Sequence, residues 1–231
     1  MRENADIAME PGEGVTTATG AKRRRAKYGE EMRHDILQAA RAIIAEEGAG
    51  ALSIRGIARR IGYSAPALYE YYGGKEEIAR ALFVFGFERL AEAMEQIERA
   101  YPDPRARIRA MGEAYRRFAL AHPQEYSLMF GRPIPEFAPK DDDRENVAGR
   151  AFAPLQRAFA DGISSSVLRP MDARTAATVA WALVHGMVSL ELAGMGGPPP
   201  GTYPADIYAP ADLALTYPTA IDTIADAFRN R

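Results

Sequence analysis

Residues 53–77, SIRGIARRIGYSAPALYEYYGGKEE, contain the start and stop signals of two short helices in close succession. Ser53 and Ser64 each precede a helical run and can accept a hydrogen bond from a free N–H group of its first turn. Gly62 ends the first run, and a Gly-Gly pair ends the second. Because helices this short are not stable alone, both must pack against a longer helix.

The longer helix is predicted just upstream, because apolar residues there recur at the spacing of one helix face. They are Ile36, Leu37, Ala40, Ile43 and Ile44, within a helix over residues 30–47. In the last short helix, predicted to have two turns, Leu68 and Tyr72 face inward, and Pro66 lies in the first turn, where a missing N–H is harmless. Three helices in about 45 residues form the outline of a helix-turn-helix DNA reader.

The remainder of the chain also has helical periodicity, and no segment alternates like a β-strand. Helices are predicted over residues 75–100, 105–121, 124–130, 144–166, 172–193 and 211–229, the last interrupted near Pro218. The predicted fold class is therefore all-α, with an N-terminal three-helix DNA-binding domain followed by a second helical domain.

Charge is divided unevenly along the chain, although the net charge is only −2. Residues 22–75 contain eleven Lys or Arg against six Asp or Glu, whereas the remainder contains eighteen against twenty-five. A basic segment beside an acidic one is typical of a nucleic-acid module joined to another domain. A solvated charge run is the alternative interpretation.

Composition excludes several classes of site. The chain has no cysteine, which excludes disulfides and thiolate chemistry, and its three histidines lie far apart, so we expect no metal and no cofactor. The first twenty residues lack the apolar run of a secretory signal, and the apolar segment 176–194 is interrupted by His185, Ser189 and Glu191. We expect a cytoplasmic protein without a membrane span, and a disordered basic tail over residues 1–28.

The second short helix has the side chains that a DNA reader needs. Tyr69 and Tyr71 are expected to point outward, where a phenolic O–H suits a phosphate oxygen, and small residues at the helix start let the backbone approach the groove. The alternative, that the tyrosines are core residues, is accepted only for Tyr72. The predicted DNA-binding residues are Arg55, Ser64, Ala65, Pro66, Ala67, Tyr69, Tyr71 and Lys75.

The run SIRGIARRIGYSAPALYEYYGGKEE resembles the DNA-binding segment of the TetR family of bacterial repressors, and the resemblance covers about residues 30–85. It implies an all-helical homodimer with one reader per subunit and a C-terminal domain that binds a small effector and dimerises. The implied division is a DNA-binding domain over residues 29–76 and an effector domain over 77–231. By the same resemblance, Tyr69, Tyr71 and Lys75 match phosphate-contacting positions, and Tyr71 stands where many members have His.

Two later segments, HPQEYSLMFGRP (122–133) and WALVHGMVSLELAG (181–194), are similar to the TetR effector domain named for its Trp and His-Gly pair. Here these residues are Trp181, His185 and Gly186. The similarity implies ligand sensing and dimerisation. His185 is either a polar group of a ligand cavity or a core histidine bonded to a backbone carbonyl.

The helix predicted over 172–193 is apolar nearly all round, so it must be covered on more than one side, and a dimer interface explains this most easily. The predicted interface residues are Leu183, Met187 and Leu190. The predicted effector pocket contains the aromatic and Met residues of the helices around it: Phe85, Tyr115, Phe118, Tyr126, Met129, Phe152, Trp181 and His185.

The function predicted from these features is a DNA-binding transcriptional regulator, most simply a repressor that a small hydrophobic effector releases from its operator. An enzyme is the alternative from another class, but no catalytic triad pattern, metal-ligand spacing or phosphate loop is present. The acidic triplet Asp141–Asp143 is more typical of a solvated loop than of a cation site. A helical interaction protein without a DNA role is the remaining alternative.

The basic run KRRRAK at residues 22–27 predicts contacts to phosphates or the minor groove. Deleting residues 1–27 should therefore flatten the dependence of DNA affinity on salt concentration, because fewer counterions are released on binding. The measurement is a DNA titration at several salt concentrations. An unchanged slope would mean that the run does not contact DNA.

Overall fold

The computed structural model describes residues 14–131, 133–134, 137–195 and 212–230. In these ranges the chain forms ten α-helices and no β-strand, which confirms the all-α prediction. The helices are α1 (Gly14–Glu47), α2 (Ile54–Ile61), α3 (Ala65–Leu68), α4 (Lys75–Ala100), α5 (Pro104–Ala121), α6 (Pro123–Phe130), α7 (Asp141–Asp143), α8 (Gly149–Ser164), α9 (Ala173–Leu192) and α10 (Leu213–Ala227). A 3₁₀ turn at Ala49–Ala51 and a π-helical turn at Arg144–Ala148 complete the regular structure.

The first three helices form a unit, here called the reader unit, whose caps are those that the sequence predicts. The Ser53 hydroxyl accepts a hydrogen bond from the Gly56 N–H at 3.1 Å, and the Ser64 hydroxyl accepts one from the Ala67 N–H at 3.4 Å. Gly62 ends α2 with a φ of 74°, a conformation that favours glycine. Buried side chains from all three helices meet at the centre: Ile36, Ala40, Ile43, Ile44, Ile57, Ala58 and Leu68.

The third helix is shorter than predicted. Only Ala65–Leu68 is α-helical, and the chain continues with i→i+3 hydrogen bonds, from the Tyr69 N–H to the Pro66 carbonyl at 3.2 Å and from the Tyr71 N–H to the Leu68 carbonyl at 3.0 Å. Residues three apart eclipse each other in such a turn. Tyr71 is therefore drawn to the side of buried Leu68, and the predicted pair of outward tyrosines is reduced to one.

The basic tail also differs from the prediction. Residues 14–28 continue α1 as a helix, whereas residues 1–13 lie outside the described residues. The run KRRRAK contains strong helix formers and no proline. Helix α1 therefore continues through it without interruption. The basic side chains from Lys22 to Lys27 are exposed along it.

The remaining helices form a bundle in which α8 packs against α4, α5 and α9, and α10 closes the bundle against α5 and α9. Paired arginines and glutamates join α4 to α8 along its length: Arg150 Nε donates to Glu95 at 2.9 Å, and Arg157 Nε donates to Glu98 at 2.7 Å. These hydrogen bonds are the main reason that the pKa values of both glutamates are lowered. They fix the register of α8 on α4.

The last helix runs continuously through Pro218, where the sequence predicts an interruption. Residues on both sides of this proline are held by the bundle, since Tyr217 is buried and donates a hydrogen bond to the Gly112 carbonyl at 2.8 Å, and Ile221 is buried one turn later. Tertiary packing therefore offsets the lost backbone hydrogen bond.

The loop between α6 and α7 is anchored, although its sequence predicts a solvated segment. Ile134 and Phe137 are buried, and the Phe137 ring lies 5.7 Å from the Phe83 ring. Asp143 is 5% exposed and accepts hydrogen bonds from Arg80 Nε and Nη2 at 2.7 to 3.0 Å. Its pKa is lowered chiefly by those bonds, so this acid of the triplet is the partner of an arginine.

By length and composition, α9 is a helix that could cross a membrane, with a mean hydropathy of 1.3. Core helices of globular proteins meet the same criterion. Within this fold, α9 packs against α5, α8 and α10, and Glu191 near its end accepts hydrogen bonds from Arg116 of α5. The helix is thus one layer of the bundle, and its remaining exposed face requires a separate explanation.

Candidate nucleic-acid interface and ligand cavity

The start and end of α3 form the exposed edge of the reader unit. Tyr69 is 55% exposed at its end, and Ser64 and Pro66 are exposed at its start. The Ser64 hydroxyl serves mainly as the helix cap. Ala65 and Ala67 are half-buried. Because their side chains are small, a DNA groove can approach the backbone closely here. The candidate DNA contacts that remain most accessible are therefore Tyr69 and the backbone of the helix start.

The other predicted DNA-binding residues lie beside this edge. Arg55 is exposed in the first turn of α2, and Lys75 is half-buried at the start of α4. Tyr71 is half-buried and packs against the core. The eight predicted residues lie in the first turn of α2, in and beside α3, and at the start of α4, with unequal exposure.

A contact between α1 and the turn before α3 was not predicted. The hydroxyls of Tyr28 and Tyr63 lie 2.9 Å apart, and both side chains are exposed. This hydrogen bond is the largest cause of the raised pKa of Tyr63. It ties the basic end of α1 to the turn of the helix-turn-helix. The two residues are 35 apart in sequence, and no local pattern signals their contact.

A cavity of about 360 Å³ lies in the bundle between α4, α5, α8, α9 and α10. Three predicted pocket residues line it, namely Tyr115, Phe152 and Trp181. Most of the rest of the lining is apolar, and sequence spacing did not distinguish these residues from a filled core. They include Phe87, Leu90, Met94, Ile108, Met111, Phe130, Leu155, Val184, Ile221 and Ile224.

The other five predicted pocket residues lie outside the lining. Met129 packs against α4 at Gly86, where an added Cβ would lie 2.8 Å from the Met129 sulfur. Phe85 lies under the guanidinium of Arg41 at 4.7 Å. Phe118 is buried and contacts the ring of His122. Tyr126 and His185 belong to a polar cluster at the edge of the cavity.

The polar cluster consists of Tyr115, Tyr126, His185 and Ser189. His185 Nδ1 lies 2.8 Å from the Tyr115 hydroxyl and 2.7 Å from the Tyr126 hydroxyl, within hydrogen-bond distance of both. The Tyr126 hydroxyl also lies 3.2 Å from Ser189 Oγ. Burial lowers the pKa of His185 and raises the pKa values of both tyrosines. His185 is thus bonded to side chains, an arrangement that neither sequence interpretation described.

A second cluster, here called the charged junction, joins the reader unit to the bundle. Glu125 of α6 accepts hydrogen bonds from Arg41 Nε of α1 and Arg89 Nη1 of α4, each at 2.8 Å. Arg89 Nη2 lies 2.9 Å from His122 Nε2, which must therefore accept. Burial, followed by the nearby Arg89 charge, lowers the pKa of His122. The cluster spans 84 residues of sequence, so local patterns could not reveal it.

One face of α9 is apolar and exposed. Val179, Leu183 and Leu190, here called the outer face of α9, are 44%, 51% and 45% exposed. Met187, the third predicted interface residue, is half-buried and packs against the core. No Asp, Glu, Lys or Arg occurs between residues 175 and 190. Leu215 of the neighbouring α10 is also exposed.

Among the described residues, no group of three or more His, Asp or Glu is arranged to hold a metal ion. The described residues do form three surfaces suited to binding: an exposed polar edge on the reader unit, a largely apolar cavity, and the apolar outer face of α9.

Comparison with known proteins supports an N-terminal DNA-binding unit followed by a second helical domain. A family model described as bacterial regulatory proteins, tetR family, matches residues 36–82, and one described as tetracyclin repressor-like, C-terminal domain, matches residues 108–216. The two matches together cover about two thirds of the chain. The second includes both segments that resemble the effector domain.

Full-length relatives agree with these matches. The HTH-type transcriptional regulator Rv1816 of Mycobacterium tuberculosis is 28% identical, over 78% of this chain and 88% of its own. The HTH-type transcriptional activator FasR of Mycolicibacterium smegmatis is 32% identical, over 56% of this chain and 59% of its own. A protein of unknown function from Rhodococcus sp. RHA1 has a similar structure, with 27% identity and a TM-score of 0.70 over 85% of this chain and 95% of its own.

The polar cluster predicts a dependence of stability on pH. Because burial lowers the pKa of His185 below its ordinary value of 6.5, the unfolded chain binds the proton more tightly than the folded one. The contribution of His185 to the free energy of unfolding is therefore fully present above about pH 6.5, and it is lost as the pH drops below that value. The variant His185→Gln cannot titrate at this position, so it should lose less stability than the wild type between about pH 7.5 and pH 5.5.

Urea unfolding at the two pH values measures this difference. Ser189→Ala is the matched control, since it removes a hydroxyl from the same cluster but no titrating group, and it should keep the wild-type difference. If His185→Gln loses as much stability as the wild type over this interval, the assigned role of His185 is wrong.

Proposed function

The chain belongs to the TetR family of helix-turn-helix transcriptional regulators, and from this premise we propose that it is a repressor released from its operator by a small hydrophobic effector. The observation that carries the proposal is the coexistence of an exposed reader edge and a largely apolar cavity in one chain, joined through α6. The family and the named relatives are transcriptional regulators and not enzymes.

For the reader edge, we propose that Tyr69 and Lys75 contact phosphates and that Ala65, Pro66 and Ala67 approach the groove floor. The exposure of Tyr69 supports this role, since a phenolic hydroxyl on a rigid ring can reach a phosphate oxygen. Arg55 and the exposed basic run of α1 would add cations on either side. The Tyr28–Tyr63 hydrogen bond would hold that run beside the turn.

For the effector response, we propose that α6 carries the signal. Phe130 of α6 lines the cavity, and Tyr126 reaches the polar cluster. Glu125, the neighbour of Tyr126, holds Arg41 of the reader unit. A ligand that shifts α6 would therefore change the charged junction and, with it, the position of the reader unit. Linkage requires that such a ligand bind less tightly when the protein is on DNA.

We also propose a homodimer held by the outer face of α9 and by α10. The outer face of α9 is exposed within one chain, and the helix contains no Asp, Glu, Lys or Arg between residues 175 and 190. Two copies related by a two-fold axis would cover this face and present two readers to an operator with half-sites about 34 Å apart. The proposed domain boundary remains residue 76, and the proposed location is the cytoplasm, where operator DNA is reached.

Activation of transcription is a second candidate. It is favoured by one observation: FasR, which matches over about half of this chain, is a transcriptional activator. A reporter gene behind the regulator's own upstream DNA separates the two: deletion of the regulator raises expression for a repressor and lowers it for an activator.

DNA binding by the reader edge is tested by a gel-shift titration with the DNA upstream of the protein's own gene. Tyr69→Phe and Lys75→Ala should each weaken binding by about 1 kcal/mol, largely independent of base sequence, because phosphate contacts are lost. Tyr101→Phe, an exposed tyrosine at the end of α4, is the control and should bind as the wild type. Undiminished binding by the Tyr69→Phe, Lys75→Ala double variant would refute the assignment.

The dimer is tested with Leu190→Arg, which places a charge on the outer face of α9 where the side chain is exposed in the single chain. The subunit should fold normally, but the charge would be desolvated in the interface at a cost of several kcal/mol. Light scattering should show a monomer whose operator affinity is lost. Leu120→Arg, which places the same charge at an exposed position of α5, is the control and should remain dimeric. A dimeric Leu190→Arg variant would contradict the proposed interface.

A further inference from the structure

The cavity is chemically asymmetric along α9. Its lining includes one charged side chain, that of Arg174, in the first turn of α9, and Thr178 follows one turn later. Both residues are exposed, whereas Trp181 is half-buried and Val184 is buried. Successive turns of one helix face therefore lead from solvent and a positive charge to an apolar interior.

The guanidinium of Arg174 is available to a ligand. Its acidic neighbour, Asp172, caps α9 and accepts hydrogen bonds from the Thr175 N–H at 2.8 Å and the Thr175 hydroxyl at 2.6 Å. Those bonds are the main cause of the lowered pKa of Asp172, and the Arg174 charge contributes least. No hydrogen bond or ion pair joins the Arg174 guanidinium to any other residue in the described part of the chain.

The interior end offers no free polar group to a ligand. The Tyr115 hydroxyl, which faces the cavity from the far side, is bonded to His185. Nearer the open end, the Thr178 hydroxyl donates to the Arg174 carbonyl at 2.8 Å, so its proton is also used. A polar group pushed into the interior would lose its water without gaining a partner, which is unfavourable. The buried part of a ligand must therefore be apolar.

The dimensions restrict the ligand further. A volume of about 360 Å³ lies near the lower end of the range for small-molecule sites. Arg174 and Val184 are the first and last lining residues of α9. They are ten residues apart, which corresponds to about 15 Å along the helix axis. This length suits one extended chain or one small ring system with a polar group at one end only.

We propose that the cavity binds an apolar monocarboxylate, with its carboxylate at Arg174 and its apolar end against the lining around Trp181 and Val184. This inference rests on the proposed effector role of the same cavity and names the class of effector. The planar guanidinium can donate two parallel hydrogen bonds to a carboxylate, and the acyl or aryl body replaces water along the apolar lining. Neutral and cationic molecules of the same shape lack the partner that Arg174 requires.

Binding is measured with three probes of equal chain length, decanoate, decanol and decylamine, each below its micelle concentration. Fluorescence of Trp181, the only tryptophan, and titration calorimetry report binding independently. The wild type should bind decanoate about tenfold more tightly than decanol, since a hydrogen-bonded charge at an open mouth contributes on this order. Decylamine should bind most weakly.

Three variants locate the interaction. Arg174→Gln should lose the preference for decanoate while decanol binds as before, and Arg117→Gln, an exposed arginine outside the lining, should behave as the wild type. Gly149→Leu should weaken decanoate and decanol together, because a Cβ there meets no heavy atom within 4 Å and the side chain can fill the cavity. Equal binding of decanoate and decanol by the wild type, no binding of either, or unchanged decanoate binding by Arg174→Gln would each overturn the proposal.

Operator release by the same probes separates this inference from the effector role. If decanoate binds through Arg174 but leaves operator affinity unchanged, the ligand class stands and the effector role fails. If decanol and decanoate bind equally and both release the operator, the effector role stands and the carboxylate preference fails.

Discussion

One carboxylate, that of Glu125, joins the helices that carry the reader edge to the helices that surround the cavity. It lies between Arg41 of α1 and Arg89 of α4, and its side chain is only 16% exposed. At such a site a negative charge is stabilised only while its positive partners stay close, and removing one partner leaves the others poorly solvated. This charged contact therefore adds to the apolar packing of α1 against α4 and α6 that joins the two halves of the chain.

The short helix α6 brings this contact within reach of the cavity. It has eight residues, and three of its side chains point to different surroundings: Glu125 to the charged junction, Tyr126 to the polar cluster and Phe130 to the cavity. Met129 packs so closely on Gly86 of α4 that the two helices have little room to slide. A displacement at one end of α6 must then be passed on, because a close-packed interior does not absorb it.

The sequence predicted most of what depends on local chemistry. Caps at Ser53 and Ser64 and the stop at Gly62 were found because each involves atoms within a few residues. Contacts between distant residues were missed, such as the Tyr28–Tyr63 bond and the charged junction, since nothing in a linear pattern sets which surfaces meet. The cavity was predicted only as an aromatic region, because the same apolar spacing describes a filled core and a hollow one.

The helix α9 contributes to two surfaces at once: Trp181 and Val184 face the cavity, and Leu183 and Leu190 face outward. Each residue advances the helix by about 100°, so a one-residue insertion or deletion within it would rotate the residues beyond it by that angle and move them off both surfaces. In the proposed dimer, selection for a new ligand is thus constrained on this helix by selection for self-recognition. Divergence of ligand preference within a lineage of such proteins should therefore accumulate in the lining residues of α4, α5 and α8, while the length of α9 stays constant.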